Sequence, residues 1–279
     1  MATTADRPGA TVAVRATRVA GAHLDERPDR LATEEPLEIR VARPGDDPFP
    51  LAITMRTPGN DFELAVGLLV SEGVVGRAED VVAVRYCVDP PQLFNVVTVD
   101  LHRNVALDRT HLARNLTMTS ACGVCGKASI DAIAGDGCPA IADGPLVGRD
   151  VVVRAPDVLR DHQRVFDKTG GLHAAGLFDP TGRLLLARED VGRHNALDKV
   201  VGALFLERSL PASDRFLVVS GRASFEIVQK AAMAGIPFVA AVGAPSSLAV
   251  DTARELKMTL CGFVRDGTFN IYAGSERVE

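Results

Sequence analysis

The stretch Phe216-Leu217-Val218-Val219 and the turn Ser220–Ser224 that follows it decide the predicted fold. A short apolar run without polar alternation is typical of a strand that is buried on both faces of a sheet. A helical pattern follows at Phe225–Ala234, and a second apolar run at Phe238–Val242 comes after Gly235-Ile236-Pro237. This strand–helix–strand order predicts parallel strands joined by right-handed crossovers.

The same alternation of strands and helices extends in both directions along the chain. We therefore predict an α/β fold whose C-terminal half is a βαβαβ arrangement. The further elements predicted in this half are a strand at Leu184–Ala187, helices at Asn195–Leu206 and Ser247–Leu256, strands at Thr259–Val264 and Phe269–Tyr272, and a turn at Asp266-Gly267.

The N-terminal part has a strand-rich, α+β pattern. Asn60 with Glu63 three residues later is a capping-box pattern, so a helix is predicted to begin there. Residues 1–10 and 21–35 are polar and are interpreted as loose segments. Strands are predicted at the apolar and β-branched runs Thr11–Arg15, Leu37–Val41, Leu51–Met55, Val81–Val88 and Phe94–Leu101.

These changes of pattern divide the chain into three predicted parts. Residues 1–114 form a strand-rich N-terminal domain, and residues 151–279 form an α/β C-terminal domain. Residues 115–150 are dense in Gly, Pro and Asp and are interpreted as a connector, with a short helical pattern at Lys127–Ile133.

Composition excludes several classes of protein. Hydrophobic residues make up 47% of the 279 residues, which is typical of a globular protein, and the formal net charge is −5. There is no strongly basic patch for nucleic acid and no apolar run of about 18 residues for a membrane span. The polar segment Met1–Gly9 lacks the apolar core of a signal peptide. We expect a cytoplasmic protein that binds neither nucleic acid nor membranes.

The connector carries a reactive-looking pair of cysteines in Cys122-Gly123-Val124-Cys125-Gly126-Lys127. The thiolate is the attacking form of cysteine, and a nearby cation such as Lys127 lowers the thiol pKa. Glycine after each cysteine leaves little bulk over the sulfurs. The chain has five cysteines and no export signal, which argues against a disulfide framework.

Three chemistries could use this pair. A structural zinc ion needs four ligands, usually from two such pairs, and the chain has only one C-x-x-C. A thioredoxin-like site needs the pair at the start of a helix in an early βαβ unit. In sulfur handling, one thiolate carries a persulfide and its neighbour helps to release it. The residues alone leave the last two readings open, together with a non-catalytic cysteine pair.

A ligand site is predicted where the parallel strands end, because ligands of open α/β sheets bind there. Three turns carry suitable groups: Ser220–Ser224 with Arg222 and Ser224, Gly243–Ser247, and Gly262–Thr268. Together they could hold a phosphorylated, nucleotide-like ligand at helix N-termini. Each turn alone could equally be an ordinary loop, since single glycine-rich turns are weak signals.

The segment Arg188–Lys199 is the other candidate. Arg193 and His194 could face a phosphate, and the alternative is a solvated helix start. His173 is interpreted as structural. The chain has no Walker A sequence and no G-x-G-x-x-G, so ATP hydrolysis and dinucleotide binding of the Rossmann type lack support.

Taken together, these motifs resemble the formate dehydrogenase accessory sulfurtransferases, the FdhD family. The resemblance runs from about Thr57 to Tyr272. The blocks that carry it, in order, are Thr57-Pro58-Gly59-Asn60-Asp61-Phe62-Glu63-Leu64-Ala65, Ser71-Glu72-Gly73, Cys122–Lys127, Thr169-Gly170-Gly171-Leu172-His173-Ala174-Ala175, Arg188–Lys199, Ser220–Lys230 and Ala244–Ala253.

The resemblance implies a function. Such proteins take persulfide sulfur from a cysteine desulfurase and pass it to a molybdenum or tungsten cofactor, the bis(molybdopterin guanine dinucleotide) form. The cofactor is then inserted into apo formate dehydrogenase. By motif matching, Cys122 would carry the persulfide and Cys125 would assist. The cofactor is a bound substrate in this scheme, and no permanently bound metal is expected.

The resemblance also implies a binding site and a fold. The guanine nucleotide end of the cofactor would lie on the C-terminal domain, at Phe263-Val264-Arg265-Asp266-Gly267-Thr268. Arg222, Ser224 and His194 are further candidates for cofactor binding. The implied fold is a three-layer one like that of cytidine deaminases, in a homodimer. One departure from the family pattern is Lys257, where glycine is expected in a left-handed helix cap.

Two rival functions remain at this point. A zinc deaminase needs H-x-E followed by P-C-x-x-C, but His173 comes after the cysteines, Ala175 replaces the glutamate and Ala121 the proline. The second rival is a chaperone that binds the cofactor or the apo-enzyme of formate dehydrogenase without moving sulfur. The cysteine pair disfavours it.

Overall fold

The computed structural model describes residues 8–87, 94–107 and 138–279. The described strands, in chain order, are β1 (Thr11–Ala20), β2 (His23–Ala32), β3 (Glu35–Ala42), β4 (Phe49–Arg56), β5 (Val81–Tyr86), β6 (Val96–Leu101), β7 (His173–Phe178), β8 (Leu184–Asp190), β9 (Phe216–Val219), β10 (Phe238–Ala241), β11 (Thr259–Arg265) and β12 (Thr268–Ala273). The described helices are α1 (Asp61–Ser71), α2 (Arg149–Arg160), α3 (Arg164–Thr169), α4 (Arg193–Leu206), α5 (Phe225–Met233) and α6 (Ser247–Glu255). The predicted helix Lys127–Ile133 lies outside the described residues.

The largest sheet has the order β12-β11-β10-β9-β7-β8. Strands β9, β10 and β11 are parallel neighbours, with Val239 of β10 opposite Leu217 and Leu260. The predicted parallel strands joined through helices are therefore confirmed. The outer strands β12, β7 and β8 pair antiparallel to their neighbours.

Helices cover both faces of this sheet, which explains why its central strands are apolar throughout. On one face, α2 packs through Val152, Ala155 and Leu159. On the other face, α4, α5 and α6 pack in a larger core that also includes α1. The described part is thus a mixed α/β fold, as predicted, and the comparison with cytidine deaminases stays a prediction.

A second sheet, of order β4-β3-β6-β5, lies on the far side of α1 and contributes Leu37, Ile39 and Val97 to the same large core. One continuous core therefore contains residues from both predicted domains. The three-part division of the chain stays a prediction.

The interpretation of residues 21–35 as loose is wrong. Strand β2 pairs with β1 over ten residue pairs, from Thr11↔Ala32 to Ala20↔His23. Nearly every side chain of β2 is exposed, so the strand has no buried face. Without a buried face there is no alternation of apolar and polar residues, so the sequence carries no strand signal here.

Helix α1 begins at the predicted place, but not with the predicted cap. Asn60 has φ 58° and its side chain makes no capping hydrogen bond. Glu63 instead accepts a hydrogen bond from Arg188 Nη2 at 2.7 Å. Glu63, which was predicted to take part in the N-terminal cap, therefore connects α1 to β8.

Helices α2 and α3 and strand β7 were not predicted from the sequence. Helix α2 contains Pro156 and β7 contains Gly176, and these residues are unfavourable inside a helix and a strand, respectively.

Lys257 at the end of α6 has φ 55°, so the left-handed cap forms without glycine. Met258 N donates to Ala253 O at 2.7 Å, as in a Schellman motif.

Helices α1 and α4 contact each other backbone to backbone at two glycines. A Cβ on Gly67 would lie 2.6 Å from the carbonyl carbon of Asp198 and 2.9 Å from Gly202 N. A Cβ on Gly202 would lie 2.6 Å from the carbonyl carbon of Glu63. The crossing therefore requires glycine on both helices.

We expect Gly67→Ala and Gly202→Ala each to lower the free energy of unfolding by about 3 kcal/mol or more, because backbone must move to admit the methyl group. This loss exceeds the ~1 kcal/mol that alanine gains over glycine in a helix. Urea denaturation measures it. Gly76→Ala is the control, since nothing lies within 4 Å of its Cβ position. Unchanged stability of both helix variants would contradict the close crossing.

Candidate functional site

The three predicted turns meet at the carboxyl ends of the parallel strands. Gly243 N donates to Gly221 O at 2.9 Å, and Phe263 N donates to Gly243 O at 3.1 Å. A Cβ on Gly243 would lie 3.0 Å from both Gly221 O and Arg222 Cα. The glycines therefore allow the turns after β9, β10 and within β11 to pack directly on one another.

Cationic groups collect around the first of these turns. A Cβ on Gly221 would lie 3.3 Å from His173 Nδ1 and 3.8 Å from Arg193 Cδ. The buried Nε of Arg193 has no hydrogen-bond partner among the described residues. Arg222 is exposed at the same turn. This grouping favours an anion, because guanidinium groups and helix N-termini bind phosphate.

The pKa of His173 reports this environment. Burial lowers it below its ordinary value of 6.5, and the positive charges of Arg193 and His194 lower it further. An anion bound beside this ring would favour its charged form and so raise the pKa of His173.

His194 connects the turn to the neighbouring helix. Its Nε2 lies 3.2 Å from Ser224 Oγ and 2.7 Å from Glu226 Oε2. The hydrogen bond from His194 lowers the pKa of Glu226. Both contacts use the same ring nitrogen, so this group is not the relay of a serine hydrolase, which needs both nitrogens.

The predicted stretch Phe263–Thr268 divides between two environments. Phe263, with φ 55°, stays beside the second turn, and Val264 is fully buried. Asp266 and Gly267 have φ values of 54° and 75° and form the predicted tight turn of the β11–β12 hairpin. Gly267 and Thr268 line a shallow depression against α2. The cation of Arg265 lies 5.7 Å from the Phe263 ring, on the exposed hairpin.

A cavity of about 870 Å³ lies between β4 and helices α1, α4 and α5. His194, at the N-terminus of α4, also lines this cavity. Its other polar lining groups include Glu226, Gln229 and the Asp198–Lys230 pair. The predicted candidate His194 thus lies between the turn cluster and a cavity that was not predicted from the sequence.

The alternative of a solvated helix start for Arg188–Lys199 is wrong. Lys199 is buried and lies 2.6 Å from the buried carboxylate of Asp190. Asp190 also accepts a hydrogen bond from Thr57 N at 3.2 Å. Most charges in this segment therefore pair with groups on neighbouring helices and strands, which leaves Arg193 and His194 for a ligand. The sequence signal for such pairing was the high density of both acidic and basic residues in Arg188–Lys199.

The cysteine pair, Cys122 and Cys125, lies outside the described residues, as do its sequence neighbours. Cys87, Cys138 and Cys261 are the cysteines of the described part, and none is in a disulfide. Burial raises the pKa of Cys138, and raises that of Cys261 to about 12, so neither is a ready nucleophile. Within residues 8–87, 94–107 and 138–279, no group of three His, Cys, Asp or Glu side chains could hold a metal ion.

Comparisons with known proteins cover nearly the whole chain. The profile of the FdhD/NarQ family matches residues 32–279. The "Sulfur carrier protein FdhD" of Streptomyces avermitilis is 52% identical over 267 residues, covering 94% of this chain and 93% of the relative. Proteins of the same description from Mycobacterium tuberculosis and Sulfurisphaera tokodaii are each 46% identical, covering 96% and 90% of this chain and 99% and 92% of their own.

A solved structure supports the fold. It is the crystal structure of a proposed formate dehydrogenase accessory protein from Desulfotalea psychrophila, with a TM-score of 0.74 and 23% identity. The match covers 96% of this chain and 99% of that one. Separately, no helix among the described residues is long and apolar enough to cross a membrane.

We expect the imidazole of His173 to titrate below pH 6.5, and inorganic pyrophosphate to raise its pKa, because an anion favours the charged ring. By linkage, pyrophosphate should bind more tightly as the pH falls through the pKa of the liganded imidazole, and the gain should level off below the pKa of the free ring, which lies under 6.5. NMR of the histidine ring protons measures both effects. In His173→Gln the assigned resonance should disappear and the pH dependence should weaken. A pKa unaffected by saturating pyrophosphate would place the anion elsewhere.

Proposed function

This chain belongs to the FdhD/NarQ family, and from that membership we propose that it is a sulfur carrier in the maturation of formate dehydrogenase. It accepts sulfur from a cysteine desulfurase as a persulfide. It then passes the sulfur to the molybdenum or tungsten bis(molybdopterin guanine dinucleotide) cofactor. The observation that carries the proposal is the high identity to proteins described as sulfur carriers, in a chain that has the cysteine pair Cys122 and Cys125.

The loading step is a thiol exchange. The Cys122 thiolate attacks the outer sulfur of the desulfurase persulfide, the sulfur–sulfur bond of the donor breaks, and the donor cysteine leaves as a thiolate. No net oxidation occurs in this step. Cys138 and Cys261 are poorer candidates for this step, because burial raises their thiol pKa values.

The release step gives Cys125 its role. Its thiolate attacks the Cys122 sulfur of the persulfide, and hydrosulfide leaves toward the cofactor. The pair is then a disulfide, and a cellular dithiol reductant must restore it before the next cycle. This accounts for two cysteines where a simple carrier needs one.

The strand-end turns are the proposed place for the nucleotide end of the cofactor. Its phosphates are anionic, and Arg193, His173 and Arg222 collect around Gly221. Backbone N–H groups at the start of α5 and α6 add donors. Arg265 is a further exposed cation on the adjoining hairpin, with its Nε 3.9 Å from Asp266 Oδ2.

We expect a reducible mass gain of one or more sulfur atoms on Cys122 after incubation with a cysteine desulfurase and cysteine. Mass spectrometry of the peptide that contains Cys122 and Cys125 measures it. Cys122→Ala should abolish loading, whereas Cys261→Ala is the matched control. Normal loading of Cys122→Ala, or about one zinc per chain that is lost in Cys125→Ala, would overturn the assignment.

We expect Arg265→Ala to weaken GDP binding by roughly tenfold or more, which corresponds to about 1.4 kcal/mol, because a charge-assisted bond to phosphate is lost. Persulfide loading on Cys122 should be unchanged in this variant. Calorimetry with GDP and the mass assay measure the two steps separately. Arg254→Ala, which removes an exposed cation from the last turn of α6, is the control. Unchanged GDP affinity in Arg265→Ala would show that the hairpin does not bind the phosphates.

A further inference from the structure

The cavity beside the turn cluster has the dimensions of a ligand site. Its volume of about 870 Å³ is within the roughly 300–1,000 Å³ of small-molecule pockets. Its apolar lining comes from Phe49 and Leu51 of β4 and from Leu64 and Leu68 of α1. Such side chains suit the faces of a flat ring, whose edges then need polar partners.

Two polar side chains on α5 provide a matched pair of hydrogen-bonding groups. Glu226 and Gln229 are three residues apart, so they lie on the same face of the helix, and both line the cavity. His194 holds one carboxylate oxygen of Glu226 at 2.7 Å. The other oxygen of Glu226 and the amide of Gln229 have no hydrogen-bond partner among the described residues. The cavity wall thus offers an acceptor next to an amide donor.

We propose that Glu226 and Gln229 recognise the edge of a 2-amino-4-oxopyrimidine ring in this cavity. Such an edge presents an amino group and a ring N–H, which the carboxylate accepts, and then a carbonyl oxygen, to which the amide donates. Guanine and pterin both have this edge. The inference rests on the proposed function and adds to it the subsite that holds a ring of the cofactor.

Charge supports a neutral ring in the cavity rather than a phosphate. Glu34 and Glu226 line it, while Lys230 is already paired with Asp198 at 2.9 Å. An anion entering here would meet the carboxylates of Glu34 and Glu226, whereas the adjoining turn at Gly221 is cationic. The contact of His194 with both Ser224 and Glu226 places the two environments side by side. A ligand could therefore put its phosphate on the turn and its ring in the cavity.

The test compares ring pairs that differ only at position 2. Calorimetry on the full chain measures pterin against lumazine, and GDP against IDP. The 2-amino group is replaced by an oxo group in lumazine and by hydrogen in IDP. We expect at least one pair to show a preference of roughly tenfold for the 2-amino ring, as the loss of a bond to a charged group implies. Preference in the pterin pair alone or in the GDP pair alone identifies which ring the cavity holds.

Three variants make the test specific. Glu226→Gln should reduce the preference to within about threefold, since a neutral amide no longer accepts both donors with a charge. Gln229→Leu should weaken both members of a pair equally, because both have the 4-oxo group. Glu207→Gln, an exposed carboxylate at the end of α4, should change nothing.

The inference is overturned if neither pair shows a preference, if no ring binds, or if Glu226→Gln retains the full preference. Persulfide loading on Cys122, measured on the same preparations, stays independent of these results. Normal loading without ring discrimination would remove the ring subsite and leave the sulfur carrier. Failed loading in the wild type would instead remove the proposed function.

Discussion

The contact between the backbones of α1 and α4 at Gly67 and Gly202 is the constraint on which the rest of the structure depends. With no side chain between them, the two helices form one layer that serves both sheets. Leu37 and Ile39 of the four-stranded sheet and Leu217 of the six-stranded sheet therefore belong to a single core. Any added methyl group at the crossing acts on both sheets, because the interior is close-packed and transmits displacement.

Buried ion pairs fix the rotation of α4 at this crossing. Asp198, whose backbone touches Gly67, pairs with Lys230 at 2.9 Å and accepts a hydrogen bond from Ser71 Oγ at 2.7 Å. Lys199 pairs with Asp190 at 2.6 Å. The desolvation of such pairs offsets much of their attraction, so their main effect is geometric. Removal of one partner would leave an uncompensated buried charge. The N-terminus of α4, with Arg193 and His194, is thereby held beside the strand-end turns.

The parts of the fold that the sequence predicted are those in which local pattern and burial agree. Strands β9 and β10 are apolar on both faces because helices cover both, and Phe216–Val219 shows this directly. Strand β1 was predicted in part from Thr11–Arg15, but β2 lacked any such pattern because nearly all of its side chains are exposed. Helix α2 was missed because Pro156 interrupts it, and its packing on β7, β9 and β11 overrides that cost.

The same distinction applies to the site. The gathering of the turns followed from the parallel order of β9, β10 and β11, so Arg222, Ser224 and Phe263 could be grouped from the sequence alone. The cavity could not be predicted, because its walls come from β4, α1 and α5, which are far apart in the chain. His194 lies beside both the turns and the cavity. Its contact with Glu226 on the cavity side is seen only in the folded structure.

The arrangement around His194 gives the site a direction. On one side lie Gly221, Ser224 and the cations of Arg193 and Arg222, which favour an anionic group. On the other side the carboxylate of Glu226, held ionised by His194, favours a donor group. A ligand with an anionic end and a donor-bearing ring can satisfy both environments in only one orientation. Because the net charge of the chain is −5, attraction of an anion cannot come from the protein as a whole. The attraction must come from the local separation of charge around His194. The close crossing of α1 and α4 at their glycines holds these charged groups in place.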